Sequence, residues 1–159
     1  MRLFTFNTDT LMGTCANIGI QRADGRFDFI YTNWAGYPED MGRLLIDRYN
    51  DAESARAIVD LGSISSLKGK LAPGEGQAHS FHNPLSGVTV AYGRDRGDEG
   101  VEFQTTDTLE NVCQQEHAYV FLKATVCAPA HWLYFNAHMP LATYLEQEGI
   151  TGTAPGCDS

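Results

Sequence analysis

A run of two arginines and one aspartate is the densest group of polar residues that could bind a ligand. Arg94, Asp95 and Arg96 follow one another between two glycines. The planar guanidinium group of arginine matches a phosphate or a carboxylate, and an aspartate can align it or accept a hydrogen bond from a ribose hydroxyl. A turn closed by ion pairs explains the run equally well, because several acidic residues follow it, so both interpretations stay open.

Two histidines, His79 and His82, lie three residues apart in the segment Ala72–Gly87, which is rich in glycine and proline. A loop histidine is suited to acid–base chemistry near neutral pH. A metal site would need further ligands that the sequence does not identify. We therefore favour a surface or hydrogen-bonding role for both histidines, and we predict no metal and no cofactor.

Three aromatic residues accompany these polar groups. Trp34 and Tyr37 precede a predicted helix, and Tyr92 precedes the arginine run. Such rings can stack on a nucleobase while backbone N–H groups at a helix start face a phosphate. Packing against the start of the helix is the alternative for Trp34 and Tyr37, and we favour it. The complete candidate ligand-binding set is Trp34, Tyr37, His79, His82, Tyr92, Arg94, Asp95 and Arg96.

The common enzyme motifs are missing from the sequence. It contains no GxSxG, Walker A, HExxH or GxGxxG pattern. Three nearby serines, Ser63, Ser65 and Ser66, have no neighbouring histidine that would suggest a catalytic triad. We therefore predict no catalytic residue, although the absence of known motifs does not exclude catalysis.

The first half of the chain predicts a hairpin followed by two helices. Strands at Thr14–Gln21 and Arg26–Tyr31 flank an Asp-Gly pair, which is a strong hairpin turn. Pro38 then suits the first turn of a helix, Asp51 is a plausible N-cap for the next one, and Gly62 ends it.

The second half predicts further strands, a polar bend and two more helices. We expect strands at Val88–Ala91 and Val101–Thr105, a bend at Tyr92–Gly100, a helix from Asp107, a hairpin of Ala118–Val126 with His131–Phe135, and a last helix between Pro140 and Gly149. This order predicts an α+β fold, in which an antiparallel or mixed β-sheet packs against about four short helices. A single domain would span residues 1–150, with residues 1–11 as an extension that adds an edge strand at Leu3–Phe6, and residues 151–159 as a flexible tail.

Composition excludes several classes of protein. The 159 residues include 20 acidic and 11 basic side chains, which gives a formal charge of −9. Such a charge disfavours direct binding to DNA or RNA. We find no apolar run long enough to span a membrane and no secretory leader. The four cysteines form no CxxC motif and are expected to be free thiols, so we predict a cytoplasmic protein.

Between Met12 and Leu145 the chain resembles a family of small proteins encoded by phages, prophages and plasmids. The matching segments are Met12-Gly-Thr-Cys15, Asn33-Trp-Ala-Gly-Tyr37, Gly42-Arg-Leu-Leu45, His79-Ser-Phe81 and Val88-Thr-Val-Ala-Tyr-Gly-Arg-Asp-Arg-Gly97. The last segment is the most specific. Cys15, Asn33 and Ala35 stand where the family tends to carry Arg, His and Asp. A hydrolytic site built on the missing His and Asp is therefore disfavoured, whereas a site of aromatic residues and arginines remains.

We weigh three alternative functions for a protein in a bacterial host, the first of which follows from the resemblance. Small phage proteins often counter host defences, and such a protein can act as a sponge that binds and sequesters a nucleotide-type immune signal. A sponge is expected to be a homo-oligomer, because interfaces form deep pockets. The second function is an acidic inhibitor of a host defence protein, including a nucleic-acid mimic. The third is a small nucleotide or phosphoester hydrolase that uses His79 or His82.

Overall fold

A β-hairpin begins the part of the chain that the computed structural model describes, which is residues 14–150. Strands β1 (Ala16–Gln21) and β2 (Phe27–Thr32) pair antiparallel. Gly25 in the turn between them has φ +93°, a left-handed conformation that glycine adopts without steric cost. The hairpin predicted from the Asp-Gly pair is confirmed.

Six strands form one mixed sheet. The remaining strands are β3 (Gln104–Thr106), β4 (His117–Leu122), β5 (His131–Tyr134) and β6 (Met139–Pro140). Their order across the sheet is β3-β2-β1-β4-β5-β6. Strands β1 and β4 run parallel, and the other neighbours are antiparallel. Pairing of β1 with β4 therefore joins the two predicted hairpins into a single α+β domain.

Short helices fill the connections between the strands. They are a π-helical turn (Pro38–Gly42), α1 (Arg43–Arg48), α2 (Ala52–Asp60), α3 (Tyr92–Arg96), α4 (Leu109–Val112), a 3₁₀ turn (Phe135–Ala137) and α5 (Leu141–Gln147). Asp51 caps α2 by accepting a hydrogen bond from the Ser54 N–H at 2.7 Å, as predicted. The cap of α4 is Thr108 and not Asp107, because the Thr108 hydroxyl accepts from the Asn111 N–H.

The core lies mainly on one face of the sheet. Ile18 and Tyr119 from the strands are fully buried with Leu45 of α1, Ile58 of α2 and Leu141 of α5. The side chains that alternate with them point to the opposite face, where α4 contributes to a smaller cluster of Phe27, Val112 and Val120. The larger cluster anchors the loops that carry most of the candidate site residues.

The segments around the arginine run differ from the predictions. Val88 and Ala91 form only isolated bridges, to Lys70 and Ile64, so no strand occurs at Val88–Ala91. The predicted bend at Tyr92–Gly100 begins with helix α3, which ends at Gly97 with φ +82°. The strand predicted at Val101–Thr105 starts only at Gln104. The sequence did not predict α3, because the segment is rich in glycine and in charged residues. In addition, His79, which contacts Asp95 of this helix, comes from the preceding loop.

Two predictions concern parts of the chain outside the described residues. The edge strand at Leu3–Phe6 and the tail at residues 151–159 both lie there. Within residues 14–150, no helix is long and apolar enough to cross a lipid bilayer.

Gly62, which ends α2, is expected to be the least replaceable glycine in the described structure. Its φ is +76°, and a Cβ atom there would lie 2.5 Å from the Val101 carbonyl oxygen. We expect Gly62→Ala to lower the free energy of unfolding by about 3 kcal/mol, through the clash and the left-handed backbone together.

Gly149→Ala is the matched control, because Gly149 has φ +75° with no atom within 4 Å of a Cβ. Only the backbone penalty applies there, so the expected loss is about 1 kcal/mol. Urea denaturation of both variants measures the difference. Equal losses of unfolding free energy in the two variants would contradict a steric clash with Val101.

Candidate functional site

Helix α3 carries the three charged residues that the sequence singled out. It has one turn, and the Asp95 N–H donates to the Ala91 carbonyl at 2.7 Å. The Asp95 carboxylate folds back to accept from the Ala91 N–H at 2.8 Å. Arg94 and Arg96 leave the helix in different directions, Arg94 toward Leu71 and Arg96 toward Phe81.

The Asp95 carboxylate is buried and accepts hydrogen bonds from three residues. Arg94 donates from Nε at 2.8 Å and from Nη2 at 2.9 Å, in addition to the Ala91 N–H. His79 Nε2 lies 3.2 Å from Oδ2, and the side chain of Asp95 is only 5% exposed. Burial acts to raise the pKa of Asp95, but the hydrogen bonds from Arg94 and Ala91 outweigh it and leave the pKa below its usual value.

His79 has both ring nitrogens engaged, and its side chain is 1% exposed. The Leu85 N–H donates to Nδ1 at 2.9 Å. Because a backbone amide can only donate, Nδ1 carries no proton and Nε2 must carry one. That Nε2–H points at Asp95 Oδ2 and at the Thr89 carbonyl oxygen, 3.2 and 3.3 Å away. His79 is therefore a hydrogen-bonding residue in the interior.

Arg94 ties the long loop to α3. Its Nη1 donates to the Leu71 carbonyl at 2.6 Å, and its Nη2 donates to the Thr89 carbonyl at 2.8 Å. With the two hydrogen bonds to Asp95, each guanidinium nitrogen of Arg94 has a partner. Arg94, Asp95 and His79 thus hold one another and the backbone, as in the ion-paired turn that the sequence also allowed.

Arg96 is about as exposed as Arg94 but contacts aromatic rings. Its guanidinium carbon lies 4.3 Å from the ring centre of Phe81 and 4.6 Å from that of Tyr92. It also donates to the Asp98 carboxylate from Nε and Nη2, in an ion pair in which the Arg96 side chain is 38% exposed. The Phe81 and Tyr92 rings are tilted by 51° to each other, and Tyr92 is buried. Arg96 and Phe81 are therefore the members of this group that can contact a planar or anionic ligand.

Trp34 is exposed and follows a residue that contacts this stack. The amide of its neighbour Asn33 donates to the Tyr92 hydroxyl at 2.7 Å, while 42% of Trp34 is accessible to solvent. Ala35 follows with φ +59°, a left-handed conformation that non-glycine residues rarely adopt. With 42% of its surface exposed, Trp34 keeps part of its surface open to solvent, and its packing against the helix start stays a prediction.

The other two predicted residues have different surroundings. The exposed His82 ring packs edge-on against Phe81, with centres 5.2 Å apart. Tyr37 lies against His117 instead, with ring centres 5.6 Å apart, and His117 Nδ1 is 2.7 Å from the Tyr134 hydroxyl. Burial lowers the pKa of His117. Tyr37 therefore belongs to a separate aromatic group at the start of β4.

A further group, which the sequence did not predict, consists of Cys15, Tyr31 and Glu116. The Cys15 N–H donates to Glu116 Oε1 at 3.3 Å. Burial and a hydrogen bond with Cys15 raise the pKa of Tyr31, and the charges of Tyr92 and Glu116 add to the effect. No local pattern could have revealed this group, because it depends on the parallel pairing of β1 with β4.

The described residues include no group of three or more His, Cys, Asp or Glu side chains that could hold a metal ion. Within the same residues Cys15, Cys113 and Cys127 are free thiols. Burial raises the pKa of the Cys113 thiol to about 12, and the charge of Glu110 contributes to the rise. Cys113 is thus protonated at neutral pH and a poor nucleophile.

Comparison with known proteins gives no relative on which to base a function. No protein-family model, no curated protein and no solved structure matches the chain. Functional inference therefore depends on the geometry of the site.

Asp95→Asn is expected to lower the free energy of unfolding by about 2–4 kcal/mol at neutral pH, because it leaves the Arg94 guanidinium without its buried carboxylate. The folded state depresses the pKa of Asp95, so its contribution is complete above the carboxyl pKa of the unfolded chain and is lost as the pH falls through the folded value. The difference in free energy of unfolding between wild type and variant should therefore become smaller below about pH 4.

Urea titrations at neutral and acidic pH measure this difference. Asp98→Asn is the control, since Asp98 also pairs with an arginine of α3 but through an exposed ion pair, and it should change stability little. If this difference in free energy of unfolding stays constant into the acidic range, the charge of Asp95 does not account for its contribution to stability.

Proposed function

We propose that the chain binds a nucleotide-type small molecule and sequesters it without catalysis. The proposed contact surface consists of Trp34, Phe81, His82 and Arg96, and the buried ring of Tyr92 supports Arg96. The observation that supports it is the guanidinium of Arg96, which lies against the rings of Phe81 and Tyr92 next to the segment of the exposed Trp34. Nucleobase stacking on Trp34 and phosphate contact with Arg96 are the interactions expected of such a surface.

Arg96 can exchange its partner for a phosphate. Its ion pair with Asp98 is at the surface, and exposed pairs contribute little to stability, so a ligand anion can displace Asp98 at small cost. Arg94 and Asp95 have a different role in this proposal, because their hydrogen bonds are already made within the chain. Together with His79 they position the loop that carries Phe81.

Catalysis by His79 conflicts with its hydrogen bonds. A general base needs a free nitrogen within reach of substrate, and His79 Nδ1 already accepts from the Leu85 N–H. His82 is exposed, and its described contact is the ring of Phe81, which does not orient a proton acceptor. The hydrolase alternative therefore lacks a positioned acid or base among the residues predicted for it.

Counter-defence is the biological role that we propose for this binding. The resemblance to phage and plasmid proteins suggests a nucleotide immune signal in the cytoplasm of a bacterial host as the ligand. Assembly into a homo-oligomer would deepen the shallow surface around Arg96, because interfaces between subunits form pockets.

An acidic protein inhibitor is the second candidate, and the exposed carboxylates favour it. Glu99, Glu102, Asp107 and Glu110 are all exposed, in a chain of formal charge −9. Such a surface attracts a basic host protein, and the attraction weakens as salt is added. Binding to a host protein that disappears at high salt, with no nucleotide retained, would favour this candidate.

Retention of a nucleotide by purified protein tests the main proposal. The protein is mixed with cyclic dinucleotides, cyclic trinucleotides and ADP-ribose derivatives, washed and heat-denatured, and the released material is identified by mass spectrometry. We expect one intact nucleotide to be recovered. Recovery of none, with the panel unaltered in solution, would reject sequestration, and a cleaved product would show an enzyme.

Paired variants then locate the surface, with affinity for the recovered nucleotide measured by calorimetry. Trp34→Ala should weaken binding by about tenfold or more, as expected for the loss of a base stack. Phe103→Ala removes another exposed ring, 38% accessible, and should leave affinity unchanged.

Arg96→Gln should weaken binding by a similar factor, through loss of the phosphate contact. Arg26→Gln is its charge-matched control, because Arg26 also forms an exposed pair with an aspartate, Asp107. Equal effects of the two arginine variants would mean that only net charge matters, and that Arg96 is not part of the site.

A further inference from the structure

We propose that the surface around Arg96 prefers nucleotides whose phosphate is a diester, with one negative charge, over nucleotides that carry a monoester or a polyphosphate chain. This preference deepens the proposed function and rests on it, because Arg96 is the group that receives the phosphate. The expected ligand is therefore a cyclic or bridging phosphodiester with a planar base. The preference follows from the number of arginines that a ligand can reach and from the carboxylates held beside them.

Arg94 does not supply a second positive charge to a ligand. Its Nε and Nη2 donate to the Asp95 carboxylate, while Nη1 and Nη2 donate to the carbonyls of Leu71 and Thr89. The Asp95 side chain is only 5% exposed. Turning Arg94 toward a ligand would break these hydrogen bonds and leave a buried carboxylate without its partner, which is costly. Of the two arginines of α3, Arg96 is therefore the one available to a phosphate.

Arg96 has hydrogen-bond donors for one phosphate group. Its Nε and Nη2 donate to the two carboxylate oxygens of Asp98, at 3.0 and 2.7 Å, whereas Nη1 donates to no group among residues 14–150. The edge formed by Nη1 and Nη2 matches two oxygens of a single phosphate. Arg96 thus binds one phosphate, on this edge or in place of Asp98, and a chain of two or three phosphates would extend beyond it.

The turn that follows α3 holds two carboxylates, Asp98 and Glu99, next to that helix. The Asp98 N–H donates to the Tyr92 carbonyl at 3.2 Å. Two residues after Glu99, the Val101 side chain lies against the helix, because its Cγ2 atom is 3.2 Å from the position of a Cβ atom on Gly93. Contacts on both sides of Glu99 therefore keep this acidic turn beside α3.

The charges around Arg96 therefore disfavour a polyanion. Residues 92–101 contain two arginines and three carboxylates, in a chain of formal charge −9. A phosphodiester keeps one negative charge at neutral pH, whereas a monoester approaches two, because its second pKa is about 6. Arg96 compensates the first charge of the ligand. Further charges on the same or the next phosphate are repelled by Asp98 and Glu99, within the roughly 10 Å over which charges act at 0.1 M salt.

Calorimetric titration with adenine and guanine nucleotides measures this preference. For each base, the 3′,5′-cyclic monophosphate, the 5′-monophosphate and the 5′-triphosphate are compared in low salt, with a chelator that removes divalent cations. We expect the cyclic monophosphate to bind most tightly and the triphosphate about tenfold more weakly. The difference in affinity should become smaller as salt is added, because salt screens the repulsion. A triphosphate that binds as tightly as the cyclic monophosphate, or a cyclic monophosphate that does not bind, would overturn the proposal.

Two matched variants assign the preference to the acidic turn. Glu99→Gln removes one charge beside α3 and should reduce the difference in affinity between the cyclic monophosphate and the triphosphate to about threefold. Glu146→Gln removes the same charge from α5 and should leave the difference as in the wild type. Both side chains are exposed, so neither variant disturbs the core. An equal effect of the two variants would mean that net charge sets the preference and that the turn beside Arg96 does not.

The retention experiment distinguishes failure of this preference from failure of the proposed function. Recovery of a phosphodiester, such as a cyclic dinucleotide or trinucleotide, supports both. Recovery of a nucleotide with a pyrophosphate, such as an ADP-ribose derivative, would keep nucleotide sequestration and overturn the preference alone. Recovery of no nucleotide would reject the two together.

Discussion

The buried carboxylate of Asp95 is the group on which the region of the candidate site depends. Three residues from two parts of the chain donate to it: Ala91 and Arg94 from the α3 segment, and His79 from the long loop. A buried carboxylate requires such partners, because an unpaired charge in the interior is costly. The loop before α3, which contains no helix or strand of its own, is held in this way by side chains and backbone groups.

As a consequence, the type of a residue in this region does not indicate the role that it has in the structure. Arginine and histidine in a glycine-rich loop are residue types typical of phosphate binding or acid–base chemistry. Here Arg94 and His79 bind the protein's own backbone at Leu71, Leu85 and Thr89. Arg96 on the same turn remains near the surface. One helical turn thus uses Arg94 to bind backbone carbonyls and Asp95, and pairs Arg96 with Asp98 and two aromatic rings.

Local patterns predicted the local features of the fold. The turn at Gly25, the cap at Asp51 and the end of α2 at Gly62 each depend on a few neighbouring residues, and each was predicted correctly. Helix α3 was missed because its buried partner His79 comes from the preceding loop. The neighbourhood of Cys15 and Glu116 was also missed, since only strand pairing across the sheet creates it. The sequence thus allowed the candidate residues to be selected by their chemical type, but it did not predict which residues they contact.

The parallel pairing of β1 with β4 has a consequence for the synthesis of the protein. Ala16 near the start of the chain pairs with His117, which lies beyond the hairpin, both core helices and the whole loop region. A nascent chain that has completed its first hairpin therefore still presents one open edge of β1, which is a surface prone to wrong pairing. Contacts so distant in sequence also slow folding. The ribosome must synthesise β4 before the central strand gains its second neighbour, so the open edge of β1 persists while the intervening residues are made.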